Sequence, residues 1–221
     1  MSTFLTMIDK LKRSGVLVSP SIIKAFEHID RADFVTTEYK NFAYDDRPLP
    51  IGLGQTISQP TTVVFMLERL QVAEDEKVLD VGSGSGWTTA LMAHLASPSG
   101  AVFGVERIPS LVKLGQVNLG KYGYEFARIL PAGKVLGLPD EAPFDKILVS
   151  AAAQEVPQEL VEQLKIGGVM VLPVKSSLYK VVKTGDSGFK HEEFYGFSFV
   201  PLVQDPMSGE ENKEDANFLG V

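Results

Sequence analysis

Two short stretches of this chain carry residue types that do chemistry. In DVGSGSG, Asp80 to Gly86, a carboxylate precedes three alternating glycines. Glycines after a strand let a ligand approach the backbone, and the helix that follows offers free N–H groups. A tight turn needing positive φ accounts for the glycines equally well. The acids sharpen the reading. Asp80 would repel a pyrophosphate but attract an ammonium group. Glu106 ends the next strand, about two dozen residues on, where an acid accepts hydrogen bonds from a ribose diol. One acid for an amine and one for a ribose describe S-adenosylmethionine better than NAD.

The second stretch is GQTISQP, Gly54 to Pro60, which places Thr56 and Ser58 just ahead of an apolar-periodic run. Either hydroxyl could cap the helix that starts near Pro60. Alternatively, the hydroxyls face the ligand site and hold a substrate oxygen. The residues by themselves leave both readings open.

These stretches need elements to position them. Residues 4–13 have helical spacing, and Ser19-Pro20 starts a second helix running to about Asp30, with Ser19 expected as its cap. Residues 31–60 are rich in turn formers and predict an ordered loop region with little regular structure; the part over 36–60 is a lid candidate. Helical periodicity resumes over 61–70. From Lys77 strands alternate with helices: strands at KVLDVG, AVFGVE, 125–130 and 144–152, and helices at WTTALMAHLA, 109–122 and PQELVEQLK, the last stopped by Gly167-Gly168. VMVLPV, LYKVVKTG and FYGFSFVPLV complete seven strands, the final two joined by GDSG as an antiparallel edge pair. This alternation predicts an α/β fold with a mostly parallel sheet covered on both faces.

Composition narrows the function classes. The 221 residues carry a formal net charge of -7, so nucleic acid is a poor partner. With no cysteine, thiolate nucleophiles, disulfides and cysteine-held metals are excluded. His28, His94 and His191 lie away from both stretches and read as structural or surface residues. No signal peptide or membrane span is expected, and the cytoplasm is the default location. Residues 204–221 are acidic and predict a disordered tail.

AYDDRPLPIGLGQTISQP, followed by KVLDVGSGSGW, VERIPSLV, GLPDEAPFDKILVSAAAQEVPQELVEQLKIGG and FVPLV, resembles the protein-L-isoaspartate O-methyltransferase family over about residues 20–203. The resemblance implies a Rossmann-like S-adenosylmethionine-dependent methyltransferase fold, with N-terminal helices and substrate loop (1–60) packed on a core domain (61–203). It implies methyl transfer to the free carboxylate of L-isoaspartyl residues in damaged proteins or peptides, by a monomer without a metal. Ser58 matches the active-site serine. Implied cofactor contacts are Thr56, Ile57, Ser58, Asp80, Gly82, Ser83, Gly84 and Gly86, with Glu106, Arg107, Ala132 and Gly133 beyond them. Thr56, Ser58, Ala151 and Ala152 are the implied substrate contacts. One departure stands out: Ala132-Gly133 occupies the position of the family's Gly-Asp pair near the adenine. Losing one charge-assisted hydrogen bond costs about 1.5–3 kcal/mol, or roughly ten- to a hundredfold in affinity. The competing readings are a methyltransferase with another acceptor and a non-catalytic descendant that binds a partner.

Overall fold

The computed structural model describes residues 3–186 and 188–203. The acidic segment 204–221 lies outside the described residues. The chain opens with α1 (Phe4–Arg13), started by a reciprocal Thr3–Thr6 capping box, and α2 (Pro20–His28). Ser19 holds the N-cap position of α2, but its side chain makes no cap bond. Its hydroxyl donates instead to Glu68 (2.6 Å), whose other oxygen accepts from the Val18 and Ser19 N–H groups at 2.8 Å each. The entry to α2 is thus tied to a distant helix.

Residues 31–60 are more regular than their composition predicts. They form two 3₁₀ turns, Arg31–Phe34 and Thr37–Phe42, and an antiparallel hairpin of β1 (Leu49–Gly52) and β2 (Gln55–Ile57) with Leu49 opposite Ile57. There follow α3 (Pro60–Leu70), β3 (Lys77–Val81), α4 (Trp87–Ala96), β4 (Ala101–Glu106), α5 (Pro109–Gly120) and β5 (Ala127–Pro131). Next come β6 (Phe144–Val149), α6 (Gln158–Glu162), β7 (Leu164–Val174), β8 (Ser177–Lys183) and β9 (Phe189–Tyr195).

The seven-stranded sheet has the order β5-β4-β3-β6-β7-β8-β9. β5, β4, β3, β6 and β7 run parallel; β8 and β9 run antiparallel to their neighbours. The chain reverses direction across the sheet at β3, which has β4 on one side and β6 on the other. In such sheets ligands bind in the crevice at the strands' carboxyl ends beside this switch point. α4 is buried nearly all round, as a helix between a sheet and a second helical layer must be. That layer is the N-terminal one: Phe26 of α2 meets Trp87 of α4 edge-on, ring centroids 5.7 Å apart, within one hydrophobic cluster.

Several boundaries differ from expectation. α6 ends at Glu162 because β7 begins at Leu164, ahead of the Gly-Gly pair. Gln163 stands at the junction, and its side-chain amide bonds the backbone of Leu136, Leu138 and Glu159. The last strand ends at Tyr195, and 200–202 instead runs alongside Ala152 as a separate strap. Among the described residues no helix is long and apolar enough to cross a membrane.

Candidate active site

At the carboxyl ends of β3 and β4 lies a cleft of about 940 Å³, counting its open mouth. The glycine turn forms its floor. Gly82, Gly84 and Gly86 all have positive φ, and a Cβ on Gly84 would come within 3.2 Å of the Ile51 side chain. Glycine there lets the β1–β2 hairpin pack close over the turn. Gly86, in contrast with expectation, is not on the cleft wall. A Cβ on it would lie 2.9 Å from Ile129 and 3.1 Å from the Gly115 carbonyl, so its small size serves the packing of the turn on α5.

Glu106 lines the cleft at the end of β4. Its carboxylate accepts from the Gly84 N–H and the Ile108 N–H, both at 3.0 Å. Those two bonds fix the carboxylate and leave further lone pairs for a ligand.

Asp80 is fully buried and does not line the cleft directly. It faces α4, because alternate residues of β3 point to opposite sides of the sheet. There the Thr88 and Thr89 hydroxyls each donate to one carboxylate oxygen at 2.6 Å. The other oxygen has no hydrogen-bond partner among the described residues. Burial pushes this carboxyl up to about 6, the two hydroxyls hold it down, and the nearby Glu106 charge adds to the rise. Thr88 does line the cleft, so Asp80 reaches the site through it.

Neither Thr56 nor Ser58 caps α3. The N-cap of α3 is Gln59, with no side-chain cap bond. The first turn is served by Asp46 instead, which accepts from the Thr61 N–H (2.9 Å) and hydroxyl (2.6 Å). Thr56 and Ser58 line the cleft, and no hydrogen bond from either hydroxyl occurs among the described residues. Ile57 lines it beside them.

Of the other expected residues, Ser83, Arg107, Ala132, Gly133 and Ala151 line the same cleft. Ala152 does not: its N–H donates to Val200 O and its carbonyl accepts from Leu202 N–H, both at 2.8 Å, so it anchors the strap. The strap residues Val200 to Val203 close the cleft on that side, and the sequence reading placed them in a strand. Trp87 and Thr88 were also missed. Their signal was available, since both sit in the first turn of the helix that the glycines introduce.

The cleft fits S-adenosylmethionine by what it leaves unsatisfied. Ser83 and Trp87 line it, and among the described residues the buried Ser83 Oγ, Trp87 Nε1 and one Asp80 oxygen have no hydrogen-bond partner. Buried polar atoms rarely stay unpaired, so these call for a ligand with both donors and acceptors. A nucleoside bearing an amino-acid arm is such a ligand.

Comparison with known proteins agrees with this geometry. The family described as Protein-L-isoaspartate(D-aspartate) O-methyltransferase (PCMT) matches residues 3–207. The chain is similar to the protein-L-isoaspartate O-methyltransferase of Thermococcus onnurineus, at 44% identity over 202 residues, 89% of this chain and 91% of the relative. The Ignicoccus hospitalis protein of the same name is 40% identical over 204 residues, 90% of this chain and 96% of that one. Among solved structures, a Plasmodium falciparum protein described as a PCMT in complex with S-adenosyl-L-homocysteine superposes with TM-score 0.83 at 25% identity, covering 93% of this chain and 100% of that one. Motif order, sheet order and cleft chemistry therefore agree with full-length sequence similarity: this chain belongs to the protein-L-isoaspartate(D-aspartate) O-methyltransferase family.

Proposed function

We propose that this chain transfers a methyl group from S-adenosylmethionine to the free carboxylate of L-isoaspartyl residues in damaged proteins or peptides, a repair reaction. The observation that carries the reading is that Thr56 and Ser58, whose hydroxyls make no hydrogen bond among the described residues, lie on the wall of the cleft that also holds the glycine turn and Glu106. When bound, S-adenosylmethionine supplies an electrophilic methyl group on a sulfonium.

The chain's own residues hold and orient. Glu106, fixed by two N–H groups, accepts from ribose hydroxyls. Thr88 donates its proton to Asp80, which leaves its oxygen lone pairs to accept from the ligand ammonium, with the Asp80 charge behind them. Ser58 donates to the acceptor carboxylate and fixes which oxygen faces the methyl group. Thr56 assists.

The lining charges support a carboxylate acceptor. Glu106 and Arg107 are the charged residues of the described cleft wall, and both belong to the β4 end. Around Thr56, Ser58, Ser150 and Ala151 the wall is neutral. A carboxylate is already ionised at neutral pH, so it needs no general base. A lysine or arginine beside it would pair with it and weaken it as a nucleophile; hydroxyls orient it at less cost. Positioning of this kind lowers barriers by up to ~7–11 kcal/mol.

The product tests the reading. Isoaspartyl peptide incubated with methyl-labelled cofactor should yield label released as methanol in mild base, the behaviour of a methyl ester. Label that survives base would point to nitrogen methylation and contradict a carboxylate acceptor.

A further inference from the structure

The hairpin that carries the cleft hydroxyls is closed at its base by a buried cation outside the cleft. Arg31, just beyond α2, is completely excluded from solvent. Its Nη1 donates to the carbonyls of Ala43 (2.7 Å) and Asp45 (3.2 Å). Its Nη2 donates to the carbonyls of Arg47 and Ser58, each at 3.0 Å. Arg47 precedes the Leu49–Ile57 hairpin and Ser58 follows it, so a single nitrogen holds both ends. The guanidinium also lies 5.2 Å from the centroid of the Trp87 ring, on the first turn of α4. Two walls of the site, the hairpin and the first turn of α4, thus meet on one side chain.

A buried charge is a poor device for stability alone, because desolvation offsets much of what it gains. Arg31 has Asp45 and Asp46 nearby, which favour its charge, but its hydrogen bonds go to backbone carbonyls. The requirement it meets is geometric. Four carbonyls converge there, and a planar fork can satisfy them where the compact ammonium of lysine cannot span both pairs.

We propose that Arg31 is a positioning residue for methyl transfer: by clasping the base of the Leu49–Ile57 hairpin it sets where the Ser58 hydroxyl stands in the cleft. The segment 36–60 is then a wall pinned at its root rather than a lid that swings as a whole. Asp46, bonded to Thr61 at the start of α3, pins the same loop from the other side. This inference rests on the role given to Ser58.

A double-mutant cycle with hydrogen exchange tests it. Arg31→Lys, Ser58→Ala and the double variant are screened by circular dichroism and assayed on an isoaspartyl peptide, with S-adenosylhomocysteine affinity measured by calorimetry. Arg31→Lys should lower kcat/KM by about tenfold or more while changing that affinity by less than about threefold. In the Ser58→Ala background the same substitution should cost less than about twofold, because the hydroxyl it places is gone. Paired amides of the hairpin should exchange at least about tenfold faster in Arg31→Lys. Equal losses in both backgrounds, or unchanged exchange, would overturn the proposal. If Ser58→Ala alone leaves kcat/KM intact, the role of Ser58 fails, and the positioning role of Arg31 fails with it; faster exchange would then show a clasp that is merely structural. Should Arg31→Lys not fold, Arg31→Gln enters the same cycle, and hairpin amides in the unmodified chain that exchange much faster than those of β3 would also refute the clasp.

Discussion

Cofactor affinity should depend on pH through Asp80. Burial raises this carboxyl to about 6, with Glu106 adding to the rise and the Thr88 and Thr89 hydroxyls opposing it. A ligand ammonium held by Thr88 favours the ionised form. With a pKa of about 6 in the free protein, Asp80 is about nine-tenths ionised at pH 7 and about one-tenth at pH 5. The competent fraction, and with it the affinity, should therefore fall by about tenfold over those two pH units, about 1.4 kcal/mol. The three histidines do not line the cleft, and the charged residues that do are Glu106 and Arg107. S-adenosylhomocysteine is the suitable probe, because it keeps the ammonium and lacks the sulfonium. Calorimetry at pH 5, 6 and 7 should give Kd rising as pH falls in the unmodified chain, and a flat profile in Asp80→Asn. A flat profile in the unmodified chain, or the same slope in Asp80→Asn, would refute the charge contact.

Other outcomes follow from the same geometry. Ser58→Ala should lower turnover on an isoaspartyl peptide by about ten- to a hundredfold, the scale of one hydrogen bond to a charged group, and steady-state kinetics would read it. Asp80→Asn should stabilise the ligand-free protein at neutral pH by up to about 3 kcal/mol, the equivalent of moving a carboxyl from 3.8 to about 6. The sign follows from linkage: a raised folded pKa gives stability that is present below pH 3.8 and lost as pH rises through about 6, so the gain in denaturant melts should vanish near pH 4. Gly133→Asp should tighten cofactor binding by about tenfold or more if the adenine contact that the resemblance implies forms here, because a Cβ there meets nothing within 4 Å; calorimetry would read it. Gly86→Ala should destabilise by about 2 kcal/mol or more in thermal melts, since its φ is 92° and its Cβ would press on Ile129 and the Gly115 backbone.

What could be read from the sequence was local. The alternation from Lys77 onward, the glycine turn and the acid ending β4 all follow from periodicity and spacing within a few dozen residues. The hairpin over 49–57 was not legible, because Pro50, Gly52 and Gly54 read as turn formers and its support comes from Arg31 and the glycine turn, both distant in sequence. The site residues show the same division. Ser58 and Glu106 were visible as polar groups at element ends. The recess of Asp80 behind Thr88 depends on which face of β3 meets α4, and the strap at 200–203 depends on a pairing with Ala152 made some fifty positions earlier. Ser58 was ambiguous for a further reason: only the discovery that Asp46 serves the first turn of α3 frees its hydroxyl for another task.

Acceptor identity is open to one direct measurement. Two peptides of the same sequence, one with an isoaspartyl and the other with an ordinary aspartyl linkage, are compared for methyl incorporation from labelled cofactor. Incorporation into the isoaspartyl peptide with little into its partner is the predicted result. Equal labelling of both, or labelling of neither while cofactor binds, would contradict an enzyme built to find that damaged bond.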